Sequence, residues 1–160
     1  MLSPSPALVP TDVLIDTIVT RFHQPLHDKL RTAEALSAKV ARVHGGGDAR
    51  LYELDAAVQA LVDSLTVHLA EEERALFPLL RAGAGTERLR GELASMHEEH
   101  VIIAELFARM RELTDDLTLP PNACNTYRRL FAELEALERE IGEHVALEDQ
   151  LARRFEEVTP

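Results

Sequence analysis

The sequence predicts an all-α fold, an antiparallel up-down four-helix bundle. Apolar residues recur at helical spacing in four long stretches, breakers of only a few residues separate them, and no stretch carries the alternation of a strand. A tail, MLSPSPALVP, occupies 1–10 and is expected to be flexible. The bundle is expected over 11–158.

The first helix begins after Pro10, with Thr11 or Asp12 as its cap, and carries Val13, Leu14, Ile18, Phe22, Leu26 and Leu30 on one face as far as about His44. Gly45-Gly46-Gly47 ends it. Asp48 caps the second helix, whose face is Leu51, Leu54, Val58, Leu61, Leu65 and Leu69, ending before Gly83. Thr86 caps a third that runs to about Leu117. Leu119-Pro120-Pro121 breaks it, and Asn122 opens a fourth that continues nearly to Val158. Pro25 and Pro78 fall inside these stretches, where they are expected to kink the helix or mark a local end.

Composition narrows the function. A formal net charge of −11 leaves no basic stripe for phosphates, which argues against nucleic acid as a partner. No apolar run is long enough to span a bilayer, and the first residues lack the basic start and apolar core of a leader, so the expected location is the cytoplasm. One cysteine, Cys124, excludes an internal disulfide framework and a cysteine-based zinc site. It stands near the start of the fourth helix, where a small residue packed at the turn is the expected role.

The histidines carry the chemistry. Along helices rising about 1.5 Å per residue, equal counts from a shared turn mean equal depth. From Gly46, His23 lies roughly 23 residues back and His68 roughly 22 forward, so the two are level. About 16 residues separate both His68 and His100 from the second turn. His144 follows the third turn by roughly 24 residues against about 20 for His100, a gap of roughly 6 Å that the loop path can absorb. One histidine from each helix thus reaches one layer.

Two of them carry a glutamate one turn on, in His68-Leu-Ala-Glu-Glu72 and His144-Val-Ala-Leu-Glu148. Residues at i and i+4 share a helix face, so the imidazole can hold one metal while the carboxylate reaches a second. A single His-x-x-x-Glu is an ordinary surface pair. Two copies on alternate helices, level with His23 and His100, make a metal-binding layer. Histidine with carboxylate suits iron, manganese or zinc, and two bridging carboxylates favour a two-metal centre.

The remaining histidines are expected outside that layer. His44 lies roughly 30 Å from His23 along a straight helix. His27 and His97 stand one turn from His23 and His100, in reach of an orienting role, and Glu71, Glu73, Glu98 and Glu99 are expected to face solvent. Asp149, five residues after His144, competes with Glu148, but i+4 is closer in angle.

These residues also carry a resemblance. The segments Arg21-Phe-His23, Lys39-Val-Ala-Arg-Val-His44-Gly, His68 to Pro78, Met96-His-Glu-Glu-His100, Arg111-Glu-Leu-Thr114, Pro120 to Tyr127 and His144 to Glu148 occur in order. In them the chain resembles the hemerythrin-like (HHE cation-binding) superfamily, and within it the Repair of Iron Centers family of di-iron proteins. The resemblance implies two non-haem irons, with His23, His68, His100 and His144 as terminal ligands and Glu72 and Glu148 as bridges, leaving room for an oxo bridge or a small molecule. It also marks the position of His44, against the depth count. It implies a role in nitrosative or oxidative stress and iron–sulfur centre repair, with iron–sulfur proteins as partners or oxygen or nitric oxide as small ligand. Monomer and homodimer both stay open, as does enzymatic turnover. The alternative is an oxygen-binding or oxygen-sensing hemerythrin. That relative expects His-x-x-x-His on the third helix, where this chain has only His97 and His100, and an Asp at the offset of Asp149.

Overall fold

The four apolar stretches form four antiparallel rods in a computed structural model that describes residues 9–83 and 87–156. The first rod is α1 (Thr11–Ile18), a π-helical turn (Val19–His23) and α2 (Gln24–His44). The second is α3 (Arg50–Glu71), a second π turn (Glu72–Leu76) and α4 (Phe77–Ala82). The third is α5 (Glu87–Leu113) and the fourth α6 (Asn125–Glu156). Packing runs round a ring, α2 on α3, α3 on α5, α5 on α6 and α6 back on α2. Among the described residues there is no strand, and no helix is long and apolar enough to cross a membrane.

The apolar faces bury two clusters rather than one. Leu26, Leu30, Leu54, Leu61, Leu65, Phe107, Leu130 and Leu134 belong to the larger. Ile15, Ile18, Leu76, Phe77, Leu89, Leu93 and Leu151 belong to the smaller, at the other end of the rods. Between them along every rod lies a layer of buried polar side chains, His23, His68, Glu72, His100, His144 and Glu148. Apolar packing closes that layer above and below.

Neither proline breaks its rod. Each follows a π turn by two residues, Pro25 after His23 and Pro78 after Leu76. Proline lacks an N–H and its ring crowds the carbonyl four residues back. The widened turn relieves that conflict: Gln24 N–H bonds the Val19 carbonyl and Phe77 N–H the Glu72 carbonyl, five residues back instead of four. The expected kinks are therefore π turns, and His23 and Glu72 sit in them.

Several boundaries differ from the expectation. Pro10 stands at the cap position of α1, so Thr11 and Asp12 are already inside the helix. Ala49, not Asp48, stands at the cap position of α3, and the Asp48 carboxylate accepts the Arg50 N–H at 3.1 Å from one residue further out. Thr86, Val158 and most of the tail lie outside the described residues. The third helix stops at Leu113, not Leu117, because Asp115, Asp116 and Leu117 take left-handed φ values of 49°, 61° and 57°. Each such residue costs about 1–2 kcal/mol without glycine. Local bonds hold them: Thr114 Oγ1 accepts the Leu117 N–H at 3.0 Å, and Arg111 donates to Asp116 at 2.6 Å and to Glu138 at 2.8 Å. The fourth helix starts at Asn125 rather than Asn122, since Pro120 and Pro121 lead into a turn closed by the Ala123 N–H on the Pro120 carbonyl at 3.0 Å. Gly45 has a steric role: a Cβ there would stand 2.4 Å from the Ala41 carbonyl and the Tyr52 ring.

Candidate metal centre

Each rod brings one histidine into the polar layer. Ring centroids are 4.8 Å apart for His23 and His144, and 5.0 Å for His68 and His100. The glutamates stand between these pairs. Glu72 Oε2 lies 3.3 Å from His23 Nε2, and Glu72 Oε1 lies 3.4 Å from His68 Nε2. Glu148 Oε2 lies 3.0 Å from His100 Nε2, and Glu148 Oε1 lies 3.7 Å from His23 Nε2 while touching His144 Nε2. The layer divides into two overlapping donor sets, His23 with His144 and His68 with His100, which share both Glu72 and Glu148.

The chemistry of these atoms fits two cations. Both oxygens of Glu72 and of Glu148 are buried without an aligned hydrogen-bond donor, as is His100 Nε2. His23 Nε2 and His144 Nε2 face each other at 3.0 Å. Two buried carboxylates and four inward-facing nitrogens are costly by themselves and become favourable around shared positive charge. Without metal, burial and the neighbouring Glu148 push the Glu72 carboxyl well above the usual carboxylate range. Burial also opposes the Glu148 charge, but His100, His144 and His23 outweigh it and hold that carboxyl low. Burial likewise disfavours a charged His23, yet Glu148, Glu72 and Glu73 lift it to about 10. Burial lowers His68.

Glu73 is exposed and Glu99 partly so, as expected, yet each turns one carboxylate oxygen onto a layer histidine. His23 Nδ1 lies 2.8 Å from Glu73 Oε1, and His68 Nδ1 lies 2.6 Å from Glu99 Oε2. A carboxylate on Nδ1 fixes the proton there and turns the Nε2 lone pair toward the layer. Their adjacency to Glu72 and His100 in sequence is the signal that could have found them. These two carboxylates also complete a charge balance: with Glu72 and Glu148 they supply four negative charges for two divalent ions. Glu73→Gln or Glu99→Gln is expected to weaken metal affinity by roughly 10–100-fold while leaving the fold intact, read by competition with a chelator of known affinity.

The other polar candidates lie elsewhere. His27 is exposed. Glu71 and Glu98 stay out of the layer. Asp149 faces outward, its Oδ1 3.7 Å from His97 Nδ1 and 3.9 Å from His100 Nδ1. His44 stands at the far end of the bundle, its Nε2 3.2 Å from Cys124 Sγ and its ring 5.3 Å from that of Tyr127. The depth count, not the motif position, describes His44.

Cys124 is exposed rather than packed at the turn. The backbone N–H of Tyr127 and the His44 imidazole bring its thiol down to about 7. His44→Ala is therefore expected to slow alkylation of Cys124 severalfold at neutral pH, measured as the pH profile of iodoacetamide reaction.

Known proteins resemble the chain over most of its length. The family pattern described as the hemerythrin HHE cation binding domain matches residues 14–153. The iron-sulfur cluster repair protein YtfE of Edwardsiella ictaluri is 39% identical over 142 residues, covering 89% of this chain and 64% of the relative. Proteins of the same name from Musicola paradisiaca and Yersinia pseudotuberculosis are 35% and 32% identical over the same coverage. The chain thus spans less than two thirds of the length of these relatives.

Proposed function

We propose, from the premise that the chain belongs to the hemerythrin HHE cation-binding domain family, that its polar layer holds two iron ions serving the repair of iron–sulfur centres under nitrosative or oxidative stress. The observation that carries this reading is the sharing of Glu72 and Glu148 between two histidine pairs. His23 and His144 would hold one ion, His68 and His100 the other, with both carboxylates between them. Zinc or manganese would fit the same donors. The name of the relatives, iron-sulfur cluster repair proteins, supports that role, for which the partners would be iron–sulfur proteins in the cytoplasm.

When bound, such a pair supplies redox-active Lewis-acid positions for a small diatomic molecule, or iron that can be given up. The chain's own part is to set the histidine tautomers through Glu73 and Glu99 and to exclude bulk water with the two apolar clusters. Access is small: a polar cavity of about 160 Å³, bounded by Glu71, Glu92, Ser95 and Glu99, reaches the buried Glu72.

The test is transfer of labelled iron from loaded protein to an apo iron–sulfur protein, followed by recovery of that protein's cluster absorption. Recovery supports the proposal. Retention of the iron together with a stable, reversible oxygen adduct would replace repair with oxygen carriage.

A further inference from the structure

The four layer histidines are not held alike. His23 and His68 are locked by close carboxylates on Nδ1, and His144 is buried with its Nδ1 unpartnered and its ring stacked 5.4 Å from Phe22. His100 has no such lock. It is 9% exposed, against 0–1% for the other three, and its Nδ1 is buried without a hydrogen-bond partner. Facing that nitrogen are two half-exposed side chains, His97 from the same helix face and Asp149 from α6.

We propose that His97, His100 and Asp149 form a third divalent-cation site at the surface, through which ions pass to and from the buried pair. The proposal rests on reading the buried layer as a two-metal centre. The ligand atoms of all three lie within 4.8 Å of one another. Asp149 Oδ1 stands 3.7 and 3.9 Å from the two Nδ1 atoms, too far for hydrogen bonds. Two donors bound to one ion through bonds of about 2.1 Å take up separations of that order. Two imidazoles and one carboxylate, with the remaining positions open to water, suit iron(II) and its neighbours.

His100 is common to both sites, and its chemistry makes the sharing sequential. A neutral imidazole has one nitrogen lone pair. With the proton on Nε2, Nδ1 binds the outer ion. With the proton on Nδ1, Nε2 binds within the layer beside Glu148. An ion held outside by His97 and Asp149 thus stands one imidazole ring from the buried layer, and His100 serves one of the two sites at a time. A second approach to the layer is the cavity beside Glu72.

The experiment adds Co²⁺ to metal-free full-length protein and follows its ligand-field absorption by stopped flow, then follows removal by a chelator. In His97→Ala/Asp149→Asn, both equivalents are expected to bind at equilibrium, with uptake and removal each slowed roughly tenfold, the scale at which groups beside a metal act. Asp149→Asn alone, which keeps the side chain's size, is expected to show a smaller slowing in the same direction. Rates equal to wild type in both variants would overturn the outer site alone. Loss of one equivalent at equilibrium would overturn it too, by placing these residues inside the buried centre. Wild type that takes up fewer than two equivalents would overturn the two-metal reading on which the proposal rests.

Discussion

Replacing Glu148 with Ala is expected to reduce metal content from two ions per chain to one or none. Glu148 is the residue most deeply shared by the layer, within 3.0 Å of His100 Nε2, 3.7 Å of His23 Nε2 and in contact with His144. Its loss removes a ligand from both halves at once and half of the bridging charge. Glu72→Ala acts in the same way through His23 and His68. The metal-free fold is expected to tolerate Glu72→Ala, whose carboxyl is already pushed toward neutral, better than Glu148→Ala, which removes the carboxylate that lifts His23. Circular dichroism of the variants checks that point, and metal analysis of the same samples checks the loading. Two ions retained in either variant would overturn the bridging assignment.

Removing metal from the wild type is expected to cost the second largest effect, in stability. An ion at a hundred times its dissociation constant contributes about 2.7 kcal/mol, so two contribute roughly 5 kcal/mol. For a chain of this size that is a fall in melting temperature on the order of 10–20 °C when a chelator is added. Glu72→Gln should show a smaller fall on adding chelator than the wild type does. In metal-free wild type Glu72 is already pushed toward its neutral form, so the glutamine mimics it and the fold loses little. The metal-free protein should also depend on pH in a way the loaded protein does not. His23 is lifted to about 10, above its unfolded value near 6.5. Its contribution is therefore whole below about 6.5 and lost as pH rises through about 10. A melting temperature unchanged by chelation would contradict the two-metal reading.

The rods were legible because apolar periodicity and short breakers are local properties. Their ends were less so. The stop at Leu113 depends on three left-handed residues without a glycine among them, held by Thr114 and Arg111. Nothing in the run Asp115-Asp116-Leu117 announces that conformation. Pro25 and Pro78 were visible as disturbances, but a π turn, a kink and a break share the same proline signal.

The layer was legible for a different reason. Depth counting needs only the helical rise and the turns, and it places His23, His68, His100 and His144 together without any side-chain detail. It also separates His44, which the structure puts beside Cys124. Counting depth says nothing about reach between helices. Glu73 and Glu99 lie on the flanks of their own rods, and only the juxtaposition of rods brings their carboxylates to His23 and His68. The direction of Asp149 was open for the same reason: angle on one helix favoured Glu148, and the neighbouring α5 supplies His97 and His100 as what Asp149 faces instead.

The most direct measurement is the metal content of protein purified without chelator, by elemental analysis against a protein concentration from amino-acid analysis. Two ions per chain are expected, iron first among them, with zinc or manganese making up any shortfall to the same total. One ion per chain, or none after reconstitution with iron(II) under anaerobic conditions, would contradict it.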